Sequence, residues 1–269
     1  MHSAIAFSIV LCLSFGSACM DDFDEINYLQ EENSSHQQNA KQECDLHQKP
    51  VDCAEIFENG FRKSGIYQVY PKSKNIGCSS FKVYCDMETD GGGWTVIQRR
   101  GDFKRPIDFF YKTWKEYKEG FGSLRRDFWL GNDFIHALTY QKRYSARFDL
   151  GTDNETAHAL FDNFWIEDED YKYKLHINDH SGTAADSMVH HNNGIFSTKD
   201  KEAQKNCVKE FKGGWWYQPQ PVCYSANLNG LYLKGYHKKP MWNATIWVHW
   251  KGPLVSLSTV EIKIRPKDY

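Results

Sequence analysis

The stretch Asp90-Gly91-Gly92-Gly93-Trp94-Thr95-Val96-Ile97-Gln98-Arg99-Arg100 decides how the chain is read. Three glycines after an aspartate supply the backbone freedom of a tight turn. Residues 94–99 (WTVIQR) then read as a strand, and 81–85 (FKVYC) as the strand on the other side of that turn.

Outward from this hairpin, the signals are short. Asp52-Cys53-Ala54-Glu55 has capping-box spacing, with Ile56 and Phe57 as an apolar face and Gly60 as a stop. Thr113-x-x-Glu116 opens a second helix that ends near Gly120, and Asn132 caps a third over 133–138. Strand-like alternation returns at 144–150 and 173–177, then at 230–233, 245–250 and 259–265. Residues 178–229 read as long irregular stretches. The pattern predicts an α+β fold with short helices, a central antiparallel sheet and a loop-rich C-terminal region. Loops of that length are functional or held by disulfides.

Composition narrows the class. The chain has 269 residues, 41% hydrophobic and 25% charged, which excludes a disordered protein. It balances 33 basic against 35 acidic side chains, so no nucleic-acid footprint is present and no nucleic-acid partner is expected. Aromatic residues are abundant at 15%, which leaves open whether they build a core or a stacking surface.

The first residues read as an export signal. AIAFSIVLCLSF (4–15) is a twelve-residue apolar run followed by Gly16, Ser17 and Ala18. It falls short of the ~20 apolar residues that span a bilayer, and no later segment qualifies. Residues 21–49 are acidic, amide-rich and poor in apolar side chains, without a collagen or heptad repeat. The expected organisation is a signal over 1–18, a flexible stem over 19–43 and one domain over 44–269, in a secreted, extracellular protein.

Export changes how the eight cysteines are read. Cys12 lies in the signal. Cys19 lies at its boundary, an odd thiol able to join two chains if it is retained. Cys44, Cys53, Cys78, Cys85, Cys207 and Cys223 read as three disulfides, with fifteen possible connectivities. No C-x-x-C pair supports zinc. Sequons at Asn33, Asn154 and Asn243 mark candidate glycosylation sites.

Catalytic signatures fail. No G-x-S-x-G, H-E-x-x-H or phosphate loop occurs, and the chain reads as non-enzymatic. Asp179-His180-Ser181 reads as a polar turn. His190-His191 reads as a solvated loop, because no carboxylate or thiol lies at ligand spacing. The acidic run 167–170 reads as an exposed loop.

Ordered phrases then carry a resemblance. They are Asp52-Cys53-Ala54-Glu55-Ile56, Tyr84-Cys85-Asp86-Met87, the Asp90–Arg100 stretch and Glu119-Gly120-Phe121-Gly122. Phe128-Trp129-Leu130-Gly131-Asn132, Phe196-Ser197-Thr198-Lys199-Asp200, Gly213-Gly214-Trp215-Trp216-Tyr217 and Asn227-Leu228-Asn229-Gly230 follow. In this order they resemble the fibrinogen C-terminal (fibrinogen-related) domain, over about residues 44–269. The nearest look-alikes are ficolins and tachylectin-type lectins, and the missing collagen stem favours the latter.

The resemblance implies three pairings, Cys44–Cys78, Cys53–Cys85 and Cys207–Cys223. It also implies a calcium loop just before the last bridge. Here Glu202 and Gln204 stand at the two side-chain ligand positions, with Lys201 and Lys205 beside them. Calcium wants six to eight oxygens, several from carboxylates, so the site reads as degenerate. A pocket for acetyl groups is implied too, with an apolar cup for the methyl and backbone amides for the carbonyl. It maps to Phe211, Cys223, Tyr224, Met241 and Trp242, while Trp215 and Trp216 read as core. The implied function is lectin-like recognition of glycans or acetylated surface groups in innate defence, by a homo-oligomer that gains avidity. The alternative is a signalling, venom or saliva component that binds a protein partner through an eroded sugar site.

Overall fold

The computed structural model describes residues 49–72, 80–201, 206–218 and 222–269. The signal, the stem, Asn33, the Cys44–Cys78 pairing and the calcium positions Glu202 and Gln204 lie outside the described residues.

Helix α1 (Cys53–Glu58) starts as its sequence predicts. Asp52 accepts a hydrogen bond from the Glu55 amide at 3.0 Å. Glu55 reaches back to the Val51 amide at 2.9 Å, one residue beyond the usual capping box. Strands β1 (Gly65–Val69), β2 (Phe81–Asp86) and β3 (Trp94–Arg100) then form an antiparallel meander. Gly92 makes the β2–β3 turn possible: its φ is 81°, and a Cβ there would lie 2.4 Å from the Met87 carbonyl oxygen. Cys53 and Cys85 form a disulfide that ties α1 to β2.

Helix α2 (Trp114–Glu119) carries a full capping box between Thr113 and Glu116 and stops at Gly120. Short strands β4 (Phe121–Gly122) and β5 (Phe128–Trp129) pair with each other, and β5 also pairs with β3. Helix α3 (Asn132–Thr139) departs from the expected cap. Gly131 is its N-cap, and the Asn132 Oδ1 accepts the Trp129 indole N–H at 2.9 Å instead.

Long strands β6 (Tyr144–Gly151), β7 (Thr156–Ile166) and β8 (Leu175–Gly182) extend the sheet. The C-terminal region adds helix α4 (Cys207–Phe211), strands β9 (Ala226–Asn227), β10 (Gly235–Tyr236) and β11 (Ile246–Trp247), helix α5 (Val248–Lys251) and strand β12 (Val255–Ser256). Strand β13 (Thr259–Pro266) then inserts between β3 and β6. The main antiparallel order is β1-β2-β3-β13-β6-β7-β8, so the last strand of the chain closes the middle of the sheet.

Alternation places the core. Val260, Ile262 and Ile264 of β13 and Tyr144, Ala146, Phe148 and Leu150 of β6 are buried on one face. The opposite face carries charge. The β13–β3 register shifts between Ile262 and Lys263, a bulge beside the Lys263 side chain. Its ammonium is ringed by Asp86 at 2.7 Å, Asp149 at 2.8 Å and Glu261 at 3.0 Å. Burial works against both sides of this cluster. The three carboxylates nonetheless hold the Lys263 pKa above its ordinary value, and Lys263 holds Asp86 well below its own.

Several expected elements change. Residues 230–233 form no strand, only an isolated bridge from Leu231 to Ala244. Strand 245–250 shrinks to two residues and turns into α5. Asp179-His180-Ser181 lies inside β8 rather than in a turn, with Asp179 at φ 60° as a local irregularity. The acidic run 167–170 is not simply exposed. Glu167 bonds His176 at 2.7 Å, while Glu169 takes the Trp114 indole N–H and the Lys118 ammonium, both at 2.6 Å.

Candidate functional site

The C-terminal region builds its site from single side chains rather than from long strands. Two glycines let its framework pack. A Cβ on Gly213 would fall 2.3 Å from the Asn229 carbonyl oxygen, and one on Gly214 would fall 2.3 Å from the Tyr117 ring. Trp215 and Trp216 are consequently drawn into the core, as expected, and the Trp216 indole N–H donates to the Tyr173 carbonyl at 2.7 Å. The Cys207–Cys223 disulfide closes the adjoining loop across a Cα separation of 6.0 Å.

Three of the sequence-predicted residues come together. The rings of Phe211 and Tyr224 meet edge to face with centroids 4.5 Å apart. Tyr224 meets Trp242 in the same manner at 6.5 Å. The Tyr224 hydroxyl donates to the Trp242 carbonyl oxygen. Phe211 and Tyr224 are almost wholly covered, whereas Trp242 is 46% exposed. Cys223 is buried beside them, and its carbonyl accepts from the Gln218 amide at 2.8 Å. Met241 packs on the core from the side and donates its amide to the Pro253 carbonyl at 2.8 Å. The cluster therefore presents one exposed indole over a buried aromatic floor, flanked by the exposed Val222.

Two residues outside the expected set hold this floor in place. Asn227 donates from Nδ2 to the Phe211 carbonyl at 2.9 Å, and its Oδ1 accepts the Tyr217 hydroxyl at 3.2 Å. His191 corrects the reading of His190-His191 as one solvated loop. His190 is exposed, but His191 is fully buried. Its Nε2 accepts the Ser225 and Ala226 amides at 3.2 and 3.1 Å. Nδ1 must then carry the proton, donated to the Trp216 carbonyl at 2.8 Å. Burial pushes its pKa down to about 4, so the ring is neutral at physiological pH. Both ring nitrogens are occupied, which leaves none for a metal. The N-L-N motif already contained Asn227, but no spacing rule revealed its partners.

The described residues just before the expected calcium loop are engaged with other partners. Asp200 Oδ1 accepts the Trp114 amide and the Thr198 hydroxyl, both at 2.8 Å. The Lys201 ammonium sits 3.9 Å from the centroid of the Trp114 ring and within 4.0 Å of Glu169. Among the described residues no group of three or more His, Cys, Asp or Glu side chains gathers to hold an ion.

The two described sequons differ in setting. Asn154 lies exposed on the β6–β7 turn. Asn243 is half-buried, and its partner Thr245 is fully buried with its hydroxyl accepting from Arg100 at 2.9 Å.

Comparison with known proteins gives one consistent picture. A family model described as the C-terminal globular domain of fibrinogen beta and gamma chains matches residues 49–267. Techylectin-5A of Tachypleus tridentatus is 52% identical over 225 residues, 82% of this chain and 75% of that protein. A Techylectin-like protein of Phoneutria nigriventer is 44% identical over 221 residues, 80% of this chain and 82% of its own. The solved fibrinogen-like globe domain of human ANGPTL2 matches with a TM-score of 0.75 at 35% identity, covering 81% of this chain and 99% of that one.

Proposed function

The chain belongs to the family of the fibrinogen C-terminal globular domain, and from that premise we propose that it is a secreted, lectin-like recognition protein. Its ligands are glycans or acetylated surface groups, and its role is non-enzymatic, in innate defence. The observation that carries this reading is the 52% identity to a relative named as a lectin, spread over most of both chains. The aromatic cluster of Phe211, Tyr224 and Trp242 supports it, because an exposed indole over an apolar floor suits a sugar face or an acetyl methyl group. Secretion is in keeping with the two described disulfides, which persist in oxidising compartments. No helix among the described residues is long and apolar enough to cross a membrane. Several linked copies would raise weak single-site affinity.

Binding of the purified protein to an array of acetylated glycans tests this. Saturable binding to acetylated members, lost on their deacetylation, is expected. The signal should survive a calcium chelator. Silence across the array sinks the proposal. A protein-binding role is the second reading, favoured by the likeness to the ANGPTL2 globe domain. A tight protein partner that N-acetylglucosamine does not displace would select it.

A further inference from the structure

A small cavity of ≈ 150 Å³ lies at the far end of β3, and it shares no lining residue with the aromatic cluster. Its walls include Arg100, Asp127, Pro106, Phe109, Phe110 and Tyr232. Arg100 is 3% exposed and Asp127 is 4% exposed, so both charged groups are out of bulk water. Arg100 is anchored through Nη1, which donates to the Leu228 carbonyl at 3.1 Å, the Gly230 carbonyl at 2.5 Å and the Thr245 hydroxyl at 2.9 Å. Its Nε–H has no hydrogen-bond partner. Asp127 accepts the Gly101 amide on Oδ1 at 3.0 Å.

The two charges attract one another without a hydrogen bond between them. Burial holds the arginine down to about 10 and pushes the carboxyl above its usual range, the mark of charges that have lost water without gaining a full partner. The rim adds only a longer-range attraction of Arg105 for Asp127, without a hydrogen bond. Lys104 and Asp102 pair with each other at 2.9 Å. Arg105 lies over the Phe109 ring at 4.9 Å. The Phe110 ring faces the Arg100 guanidinium at 4.3 Å and, with Phe109 and Pro106, supplies the apolar part of the wall beside the charged Asp102, Lys104 and Arg105.

An occupant therefore needs two unlike ends. A bare carboxylate on Arg100 would face Asp127, and a bare ammonium on Asp127 would face Arg100. Water satisfies hydrogen bonds but neutralises neither charge. We propose that this cavity is a binding site for a small zwitterion of the α-amino acid class, with its carboxylate on the Arg100 Nε–H and its ammonium on Asp127. A cavity of about 150 Å³ holds a benzene-sized molecule, so glycine and alanine fit by volume. The site stands independently of the lectin reading.

Calorimetric titration of the purified protein with L-alanine, propionate and ethylamine tests the assignment. Saturable one-to-one binding of alanine is expected, with each half-ligand weaker by about tenfold or more. Asp127→Asn keeps an acceptor for the Gly101 amide and removes the charge. It should weaken alanine by about tenfold and make propionate the better ligand, a reversal that no purely structural role produces. The wild-type comparison decides the matter alone if that variant does not fold. Equal binding of the three ligands overturns the proposal. So does the absence of alanine saturation together with a crystal grown in alanine that shows only water in the cavity.

Discussion

The sheet and the C-terminal region are held together by different means. Between β3, β13 and β6, backbone ladders run through eight consecutive residue pairs on one side of β13, and the side chains of β6 and β13 turn alternately toward the core and the charged face, interrupted only by the bulge at Lys263. Between residues 206 and 258, strands shrink to pairs of residues. There the chain is fixed by Asn227, Asn229, His191 and Arg100, each clamping backbone groups far away in sequence, and by one disulfide. A repeated ladder spreads its cost over many weak bonds. A clamp concentrates it, so single substitutions should act locally and steeply in the second region.

The charged face of the sheet is the exception that should show the largest effect. Lys263→Ala leaves Asp86, Asp149 and Glu261 facing one another without their buried cation. Removing one partner of such a cluster costs about 3–5 kcal/mol. Urea unfolding should show that loss for the whole domain, since β13 lies in mid-sheet. A loss below about 1 kcal/mol would class the cluster with exposed ion pairs.

The second prediction separates the two regions. Replacing Cys207 and Cys223 together by alanine opens a 16-residue separation and should remove about 3 kcal/mol. Ligand binding should fall before the far-ultraviolet signature of the sheet does. Simultaneous loss of both would mean the regions unfold as one unit.

The third concerns pH. Burial lowers His191 from 6.5 to about 4, so the unfolded chain binds its proton more readily than the folded one. The stabilisation is complete above pH 6.5 and is lost as pH falls toward about 4, in total about 3 kcal/mol. Because Nε2 accepts the Ser225 and Ala226 amides, acid should loosen the segment that carries Tyr224. Near-ultraviolet dichroism followed from neutral pH down to about 4.5 should report that loosening. His191→Gln should abolish the step, and an unchanged profile in that variant would assign the step elsewhere.

The same contrast explains what could be read in the sequence. Strands β6 and β13 were visible because apolar residues alternate along them, and β3 because a glycine turn precedes a run of strand-forming residues. Strand β7 was not, although it is the longest at 11 residues. Its inward positions begin with Ala157 and Ala159, and its phase breaks between Phe161 and Phe164. Both capped helices were legible because a cap is local. Asn132 misled because its side chain is taken by Trp129 across a turn. In the site, Phe211, Tyr224 and Trp242 were singled out by the family resemblance alone, and the structure brings their rings together. His191 and Asn227 were missed because their partners are backbone groups 15 to 35 positions away, which no periodicity encodes.

The central claim is that recognition rests on the exposed indole above the Phe211–Tyr224 floor. Trp242→Ala tests it most directly, because a surface truncation should shift stability by no more than about 0.5 kcal/mol. Titration of the variant and the parent protein with an N-acetylated sugar should show binding reduced by about tenfold or more at an unchanged melting temperature. Undiminished binding by a normally folded Trp242→Ala protein would contradict the account.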